Sequence, residues 1–236
     1  MKHILFLIVF LPIIMWSQSN FKEGEKLFKE EKYAAAQDVF ESILKTNPND
    51  LKTIEYLGDI AGQSKSWDEA IVYYKKLKEL KPAEANYHYK YGGALGMKAK
   101  DSNKFKALGM IDEVKASFEK AISLNPKHIE ARWALIELYI QLPGFVGGSE
   151  SKAIKYSNEL LQISTVDGYL SRGHIDEYFK RYVAAEKQYK KAVLLTGSKT
   201  SYYKLASLYK NKMRDPEKAK SVLDSYNDKK NQGRLN

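Results

Sequence analysis

The chain has 236 residues, long enough for one domain or for a run of repeats that share a continuous core. It holds no cysteine, which excludes disulfides, thiolate metal sites and cysteine nucleophiles. The formal net charge is +10, and residues 180–236 carry the whole excess, with 15 Lys and Arg against 5 Asp and Glu. An excess of this kind marks a docking face for an acidic partner, an anionic lipid or a polyanion, or else a solvated lysine-rich face.

Residues 1–19 read as a leader. Lys2 and His3 give a basic start, Ile4 to Trp16 is an apolar run, and Ser17-Gln18-Ser19 offers a small-x-small cleavage pattern. The run is short for a membrane span, which needs about 20 residues. The expected mature protein starts near Asn20 and works outside the cytoplasm, in the periplasm or beyond. Export argues against nucleic acid as a partner.

From Asn20 onward the apolar spacing is helical. In Leu51–Pro82, Ile54, Leu57, Gly58 and Ala61 form one helical face, and Ala70, Tyr74 and Leu77 form a second. Gly58 and Ala70 are small where two helices must approach closely. Ser66 and Glu69 have the spacing of a capping box for the second helix, and Pro82 stops it. A hairpin like this cannot bury its own apolar face, so it needs neighbours of its own kind.

The chain supplies them. Gly24, Leu27, Ala36, Phe40, Ile43 and Pro48 repeat the pattern one step earlier. A third copy has Tyr91, Gly92 and Leu95, then Phe118, Ala121 and Pro126. It is ten residues longer, and the extra residues fall at its turn, Lys98–Gly109. A fourth has Leu135 and Tyr139, then Ala153, with Ile136 in place of glycine and an inserted Pro143–Ser149 loop. Ser149 is the expected cap of its second helix. Gly173, Ala185, Tyr189 and Ala192 mark a fifth copy, closed by Gly197 rather than proline. A degenerate sixth has Leu205, Ala206 and Tyr209, then Asp215-Pro216 as an N-cap and first helical residue.

Leu57, Gly58, Ala70, Tyr74, Leu77 and Pro82, with the 34-residue step from Pro48 to Pro82, resemble the tetratricopeptide repeat (TPR). The resemblance implies an all-α, right-handed α-α superhelix of about six helix-turn-helix repeats. Their expected bounds are about 20–50, 51–84, 85–128, 129–165, 166–199 and 200–228, within a solenoid over 20–230 and before a polar tail at 229–236. It also implies a non-enzymatic scaffold that binds a protein or peptide in the groove lined by the first helices. Carried over residue by residue, the groove positions are Glu55 and Asp59 in repeat two, and Tyr89 and Gly93 in repeat three. Repeat four contributes Trp133, Glu137 and Gln141. The family's carboxylate-clamp variant needs Lys and Asn where Glu55 and Asp59 stand, so a basic or aromatic-bearing peptide fits better. Tyr89 and Trp133 either line this groove or pack against the neighbouring repeat.

No catalytic or cofactor signature competes. His88, His128 and His174 lie in different repeats without metal-ligand spacing, and Gly147-Gly148-Ser149 follows a helix rather than the strand of a phosphate loop. No cofactor or metal is expected. The alternative to the groove is the basic face of repeats five and six, with Lys187, Lys190 and Lys191 set against an acidic surface. The two insertions fall at equivalent turns on one edge, where they either bind ligand, through Lys98, Lys100, Lys104 and Lys106 in the longer and Phe145 and Val146 in the shorter, or only pack, with Phe145 tucked under the repeat-three insertion to seal the edge.

Overall fold

A computed structural model describes residues 20–232 of the chain. The expected leader lies outside the described residues, as do the last four residues of the polar tail. Among the described residues there are twelve α-helices and no strand. Helix α1 covers residues 20–29, followed by α2 Tyr33–Thr46, α3 Leu51–Gln63, α4 Trp67–Leu80, α5 Ala85–Asp101 and α6 Lys104–Leu124. These six make one compact unit. The second unit holds α7 Ile129–Gln141, α8 Glu150–Ile163, α9 Thr165–Tyr178, α10 Tyr182–Thr196, α11 Lys199–Leu208 and α12 Pro216–Asn231. The helices pack in successive pairs, one pair per repeat.

Each pair crosses where a residue of the first helix meets a side chain of the second. In repeat two a Cβ added to Gly58 would lie 2.5 Å from Tyr74 Cε1. The same holds for Gly173 under Tyr189, also at 2.5 Å, and for Gly24 under Phe40 at 2.8 Å. Gly92 lies under Phe118 and Ser117, with the nearest atom at 2.8 Å. Glycine is required here because any side chain would occupy the space of the ring. Repeat four inverts the arrangement. Ile136 takes the glycine place and is fully buried, and Ser157 takes the ring place and is 2% exposed. The large side chain has moved from the second helix to the first, so total volume is roughly kept and the crossing survives.

The short turns share one geometry. Lys65 has φ 58°, its N–H donates to the Gly62 carbonyl, and the Ser66 N–H donates back to Ala61 at 2.8 Å. Glu31 and Lys180 repeat it at φ 59°, each followed by the same long backbone bond. This is a Schellman closure with a non-glycine residue in the left-handed region. It also explains why the Ser66–Glu69 capping box does not form. Ser66 is the residue that closes α3, and its side chain makes no cap hydrogen bond to α4.

The two insertions take different forms. In repeat three the extra residues are not a loop: α5 has 17 residues, α6 has 21, and only Ser102 and Asn103 separate them. Lys, Ala, Leu and Met are good helix formers, so the added length propagates both helices. The extension is tied to α4, where Trp67 Nε1 donates to Asp101 at 2.7 Å and Lys98 pairs with Asp68. In repeat four the insertion is irregular, with a 3₁₀ turn at Gly144–Val146 and Gly147 at φ 96°. A Cβ on Gly148 would lie 1.8 Å from the Leu142 carbonyl oxygen, so the chain doubles back against its own backbone. Ser149 then caps α8, accepting the Lys152 N–H at 3.3 Å. Phe145 does not tuck away; it is 91% exposed. The tight turn through Gly144, Gly147 and Gly148 directs its ring outward, and nothing in the local sequence pulls it in.

Repeat six departs once more. After Leu208 the helix widens into a π turn at Tyr209–Met213, and Arg214 takes φ 55°. Asp215 caps α12 as expected, accepting the Lys218 N–H at 3.0 Å, with Pro216 in the first turn. Ala219 is the one fully buried residue of α12; Val222 and Leu223 pack half-buried against the same cluster, and the outward side is polar, as suits a terminal helix.

The crossing rule gives opposite signs for two glycine positions on first helices. Gly58→Ala should destabilise the fold by about 1–3 kcal/mol through overpacking against Tyr74. Gly93→Ala, where nothing lies within 4 Å, should instead be neutral or gain up to about 1 kcal/mol from helix propensity. Urea unfolding of both variants checks the pair; equal effects would show that the Tyr74 ring yields.

Candidate functional site

The first helices of the opening unit carry a polar ladder from repeat to repeat. Tyr56 of α3 donates to Glu25 of α1 at 3.0 Å. One repeat on, Lys90 of α5 pairs with Glu55 at 2.7 Å and Asp59 at 2.6 Å, and Tyr74 donates its hydroxyl to Asp59 at 2.6 Å. Lys90 therefore neutralises part of the acidic pair. Beside the ladder lies a cavity of about 400 Å³ lined by Glu25, Phe28, Lys52, Glu55, Tyr56 and Asp59. Tyr56 and Phe28 give it an aromatic floor, with ring centroids 5.1 Å apart. Burial first, then the hydrogen bond to Glu25 and the charges of Glu25, Asp59 and Glu55, push the Tyr56 phenol up to about 12. Burial is thus the main cause, and the neighbouring carboxylates add to it.

Tyr89 turns toward the second helix of its own repeat, its ring 5.9 Å from Phe118. It packs between helices of repeat three, and Gly93 beside it leaves open space.

In the second unit the expected groove residues are also joined to the next repeat. Trp133 Nε1 donates to Asp167 at 2.9 Å, and its ring lies 6.2 Å from His174. The indole packs against the cluster of Leu170, Ala185 and Tyr189, so Trp133 holds repeats four and five together. His174 Nε2–H donates to Glu137 at 2.6 Å, and Gln141 donates to the same carboxylate. Sequence reading finds these positions but not their partners Asp167 and His174. The signal available is the one-repeat spacing between each pair.

Of the basic residues, Lys187 is exposed and Lys190 pairs with Glu186 at 2.5 Å. Lys191 Nζ sits 4.9 Å from the Tyr169 ring centroid. The remaining histidines have local structural partners. His88 bonds the Pro82 carbonyl at 2.9 Å, and His128 caps α7 by accepting the Ala131 N–H at 3.3 Å. Among the described residues no group of three or more His, Asp or Glu could hold a metal ion, and no helix is long and apolar enough to cross a membrane. A larger cleft of about 850 Å³ opens between the start of α4 and the lengthened α5–α6 hairpin, lined by Trp67, Lys98, Asp101, Lys106 and Met110 among others.

The His174 hydrogen bond is the main reason that the Glu137 carboxyl is held below its ordinary value of 4.5. A depressed carboxylate stabilises the fold above that ordinary value, and the contribution fades as pH falls through the lowered one. Because the pair is partly solvated, Glu137→Gln should cost less than about 1 kcal/mol near neutrality. Urea midpoints of wild type and variant should converge in acid; a gap that widens there would mean the pair does not stabilise the fold.

Family models described as tetratricopeptide repeat match residues 105–128 and residues 200–229. These are the second helix of repeat three and repeat six, whereas the resemblance read from the sequence is carried by residues of repeat two. The RNA polymerase-associated protein CTR9 of Caenorhabditis elegans is 26% identical over 125 residues, or 51% of this chain. The chain spans about 10% of that relative's length. Among solved structures, the TPR protein TTC0263 of Thermus thermophilus is similar with a TM-score of 0.64 at 18% identity, covering 81% of this chain and 98% of that one. A tetratricopeptide repeat protein from Parabacteroides merdae gives 0.62 at 15% identity, with 89% and 78% covered. PilW, described as a type IV pilus biogenesis factor, gives 0.63 at 16% identity, with 87% and 90% covered. The helix pairs, the family-model matches and these neighbours agree: the chain carries tetratricopeptide repeats, and its fold is that of a tetratricopeptide-repeat solenoid.

Proposed function

We propose that this protein is a non-enzymatic scaffold of the cell envelope, exported by residues 1–19, that holds a protein segment against the first-helix face of repeats one and two. The observation that carries this reading is the cavity between α1 and α3. It combines an aromatic floor, Phe28 and Tyr56, with the carboxylates Glu25, Glu55 and Asp59. An aromatic floor gives a partner side chain contact area, and the acidic rim selects for positive charge. A peptide bearing Lys or Arg next to an apolar residue fits this chemistry. The envelope setting is supported by the leader-like start of the chain and by the likeness to PilW, whose described role is in pilus biogenesis. That likeness is of fold, so a role in assembling a larger complex is part of the proposal.

The test is crosslinking and pull-down of residues 20–236 from the source organism's own envelope, with wild type and Glu25→Gln/Glu55→Gln compared. The double change keeps side-chain size and removes two charges. Capture of a discrete partner should fall about tenfold in the variant, corresponding to a loss of roughly 1.4 kcal/mol. Equal capture by both proteins would overturn the assignment of the cavity. Trp133→Ala is a poor probe of the same question, because Trp133 packs against the repeat-five core and its loss would weaken the fold.

A further inference from the structure

The basic excess of the chain lies elsewhere, on α10, α11, the π turn and the segments beside them. Residues 180–214 contain ten Lys and Arg and a single acidic residue, Glu186. Glu186 is already engaged, accepting from Lys190 at 2.5 Å and from the Tyr209 hydroxyl at 2.7 Å. The core side of α10 is fully accounted for, since Ala185, Tyr189 and Ala192 are completely buried. Its opposite side reads Val183, Lys187, Lys190 and Leu194. These positions step by four, three and four, which places them on one line along the helix. Val183 is 76% exposed and Leu194 is 83% exposed.

A lone exposed aliphatic residue needs no explanation. Two of them bracketing two lysines on one helix line, in a segment this basic, form a pattern with a specific chemistry. Lysine stems lie along apolar surface while their ammonium groups reach outward to charge. Aliphatic side chains flanking them enter an acyl boundary but gain nothing from a soluble polyanion.

We propose that the outer line of α10 is a docking surface for an anionic lipid bilayer, with Lys187 at the headgroups, Lys190 beside it held by Glu186, and Val183 and Leu194 entering the acyl boundary. The helix axis lies parallel to the membrane plane, and the unpaired positive charge of α11 and the π turn adds long-range attraction. This is independent of the cavity between α1 and α3, and each can fail alone.

The experiment is co-sedimentation of residues 20–236, which include every described helix, with large unilamellar vesicles. One set holds phosphatidylglycerol and phosphatidylcholine in equal amounts; the other is phosphatidylcholine alone. The protein should sediment with the first and not the second. Lys187→Gln should weaken binding about fivefold, the effect of one lysine near an anionic surface. Val183→Ser/Leu194→Ser should weaken it about tenfold, with an unchanged thermal melt because both positions are exposed. Val72→Ser, at a 65% exposed position on α4, should change nothing. No sedimentation with the anionic vesicles would overturn the proposal. So would binding that is indifferent to Val183→Ser/Leu194→Ser and competed away by soluble polyphosphate, which would make the face a polyanion or acidic-protein surface. A loss equal to that of the double variant on Val72→Ser would mean non-specific adhesion, and would overturn it as well.

Discussion

A ring lying on a glycine is the contact on which the rest of this structure depends. With no Cβ at Gly58, Tyr74 lies flat across α3, and its hydroxyl then reaches Asp59 at 2.6 Å. Asp59 in turn holds Lys90 of the following repeat. One steric vacancy therefore fixes the hairpin, orients a carboxylate and supplies the bond that joins two repeats. Burial is the first cause that raises the Tyr74 phenol well above its ordinary range, followed by the charge and hydrogen bond of Asp59. The hydroxyl is consequently a committed donor. Repeat five uses the same logic: Gly173 admits Tyr189, whose hydroxyl donates to Glu177 at 2.8 Å. Where the ring lacks a hydroxyl, as with Phe40 and Phe118, the crossing forms but this tie is absent, and other residues make the joint. Tyr56 stacks on Phe40 with centroids 4.8 Å apart and bonds Glu25.

This coupling accounts for what is legible in the sequence and what is not. Glycine, alanine and aromatic residues at fixed helical spacing are set by packing within one hairpin, and a local pattern reveals a local constraint. The six hairpins can be read for that reason. The groove positions are found as positions, but their roles depend on a residue one repeat away. Whether Trp133 faces a ligand or Asp167, and whether Glu137 is free or held by His174, is decided by side-chain reach across two helices. Periodicity carries no information on that. The Ser66 capping box fails for a related reason: two motifs compete for one serine, and closure of α3 by Lys65 and Ser66 leaves its hydroxyl without the cap bond.

The insertions show that length added to a repeat is not necessarily loop. In KAKDSNKFKALG, strong helix formers flank a single Ser-Asn break, a composition that fits two longer helices better than a loop. In LPGFVGGS, proline and three glycines leave no such option. Likewise Ile136 can be paired with Ser157. Once one member of a crossing is large, the other must be small, and Ser157 is the small residue at the place of Tyr74. The π turn at Tyr209–Met213 has no comparable signature, and the structure alone reveals it.

The distribution of charge then separates architecture from function. In the opening unit the ladder brings acids and bases together, Glu55 and Asp59 with Lys90, Asp68 with Lys98, so much of its charge goes into joining repeats. Residues 180–214 are built on another plan. One glutamate serves both Lys190 and Tyr209, and the remaining basic side chains outnumber any internal partner that segment supplies. Like charges at this density repel one another and oppose compaction, so they do not stabilise the fold. A helix that needed only a solvated outer face could use mixed charges, as α12 does with Glu217, Lys220, Asp224 and Lys229. The single-sign face of α10 and α11 therefore adds repulsion that the fold does not require, and packing within the chain gives no reason for it.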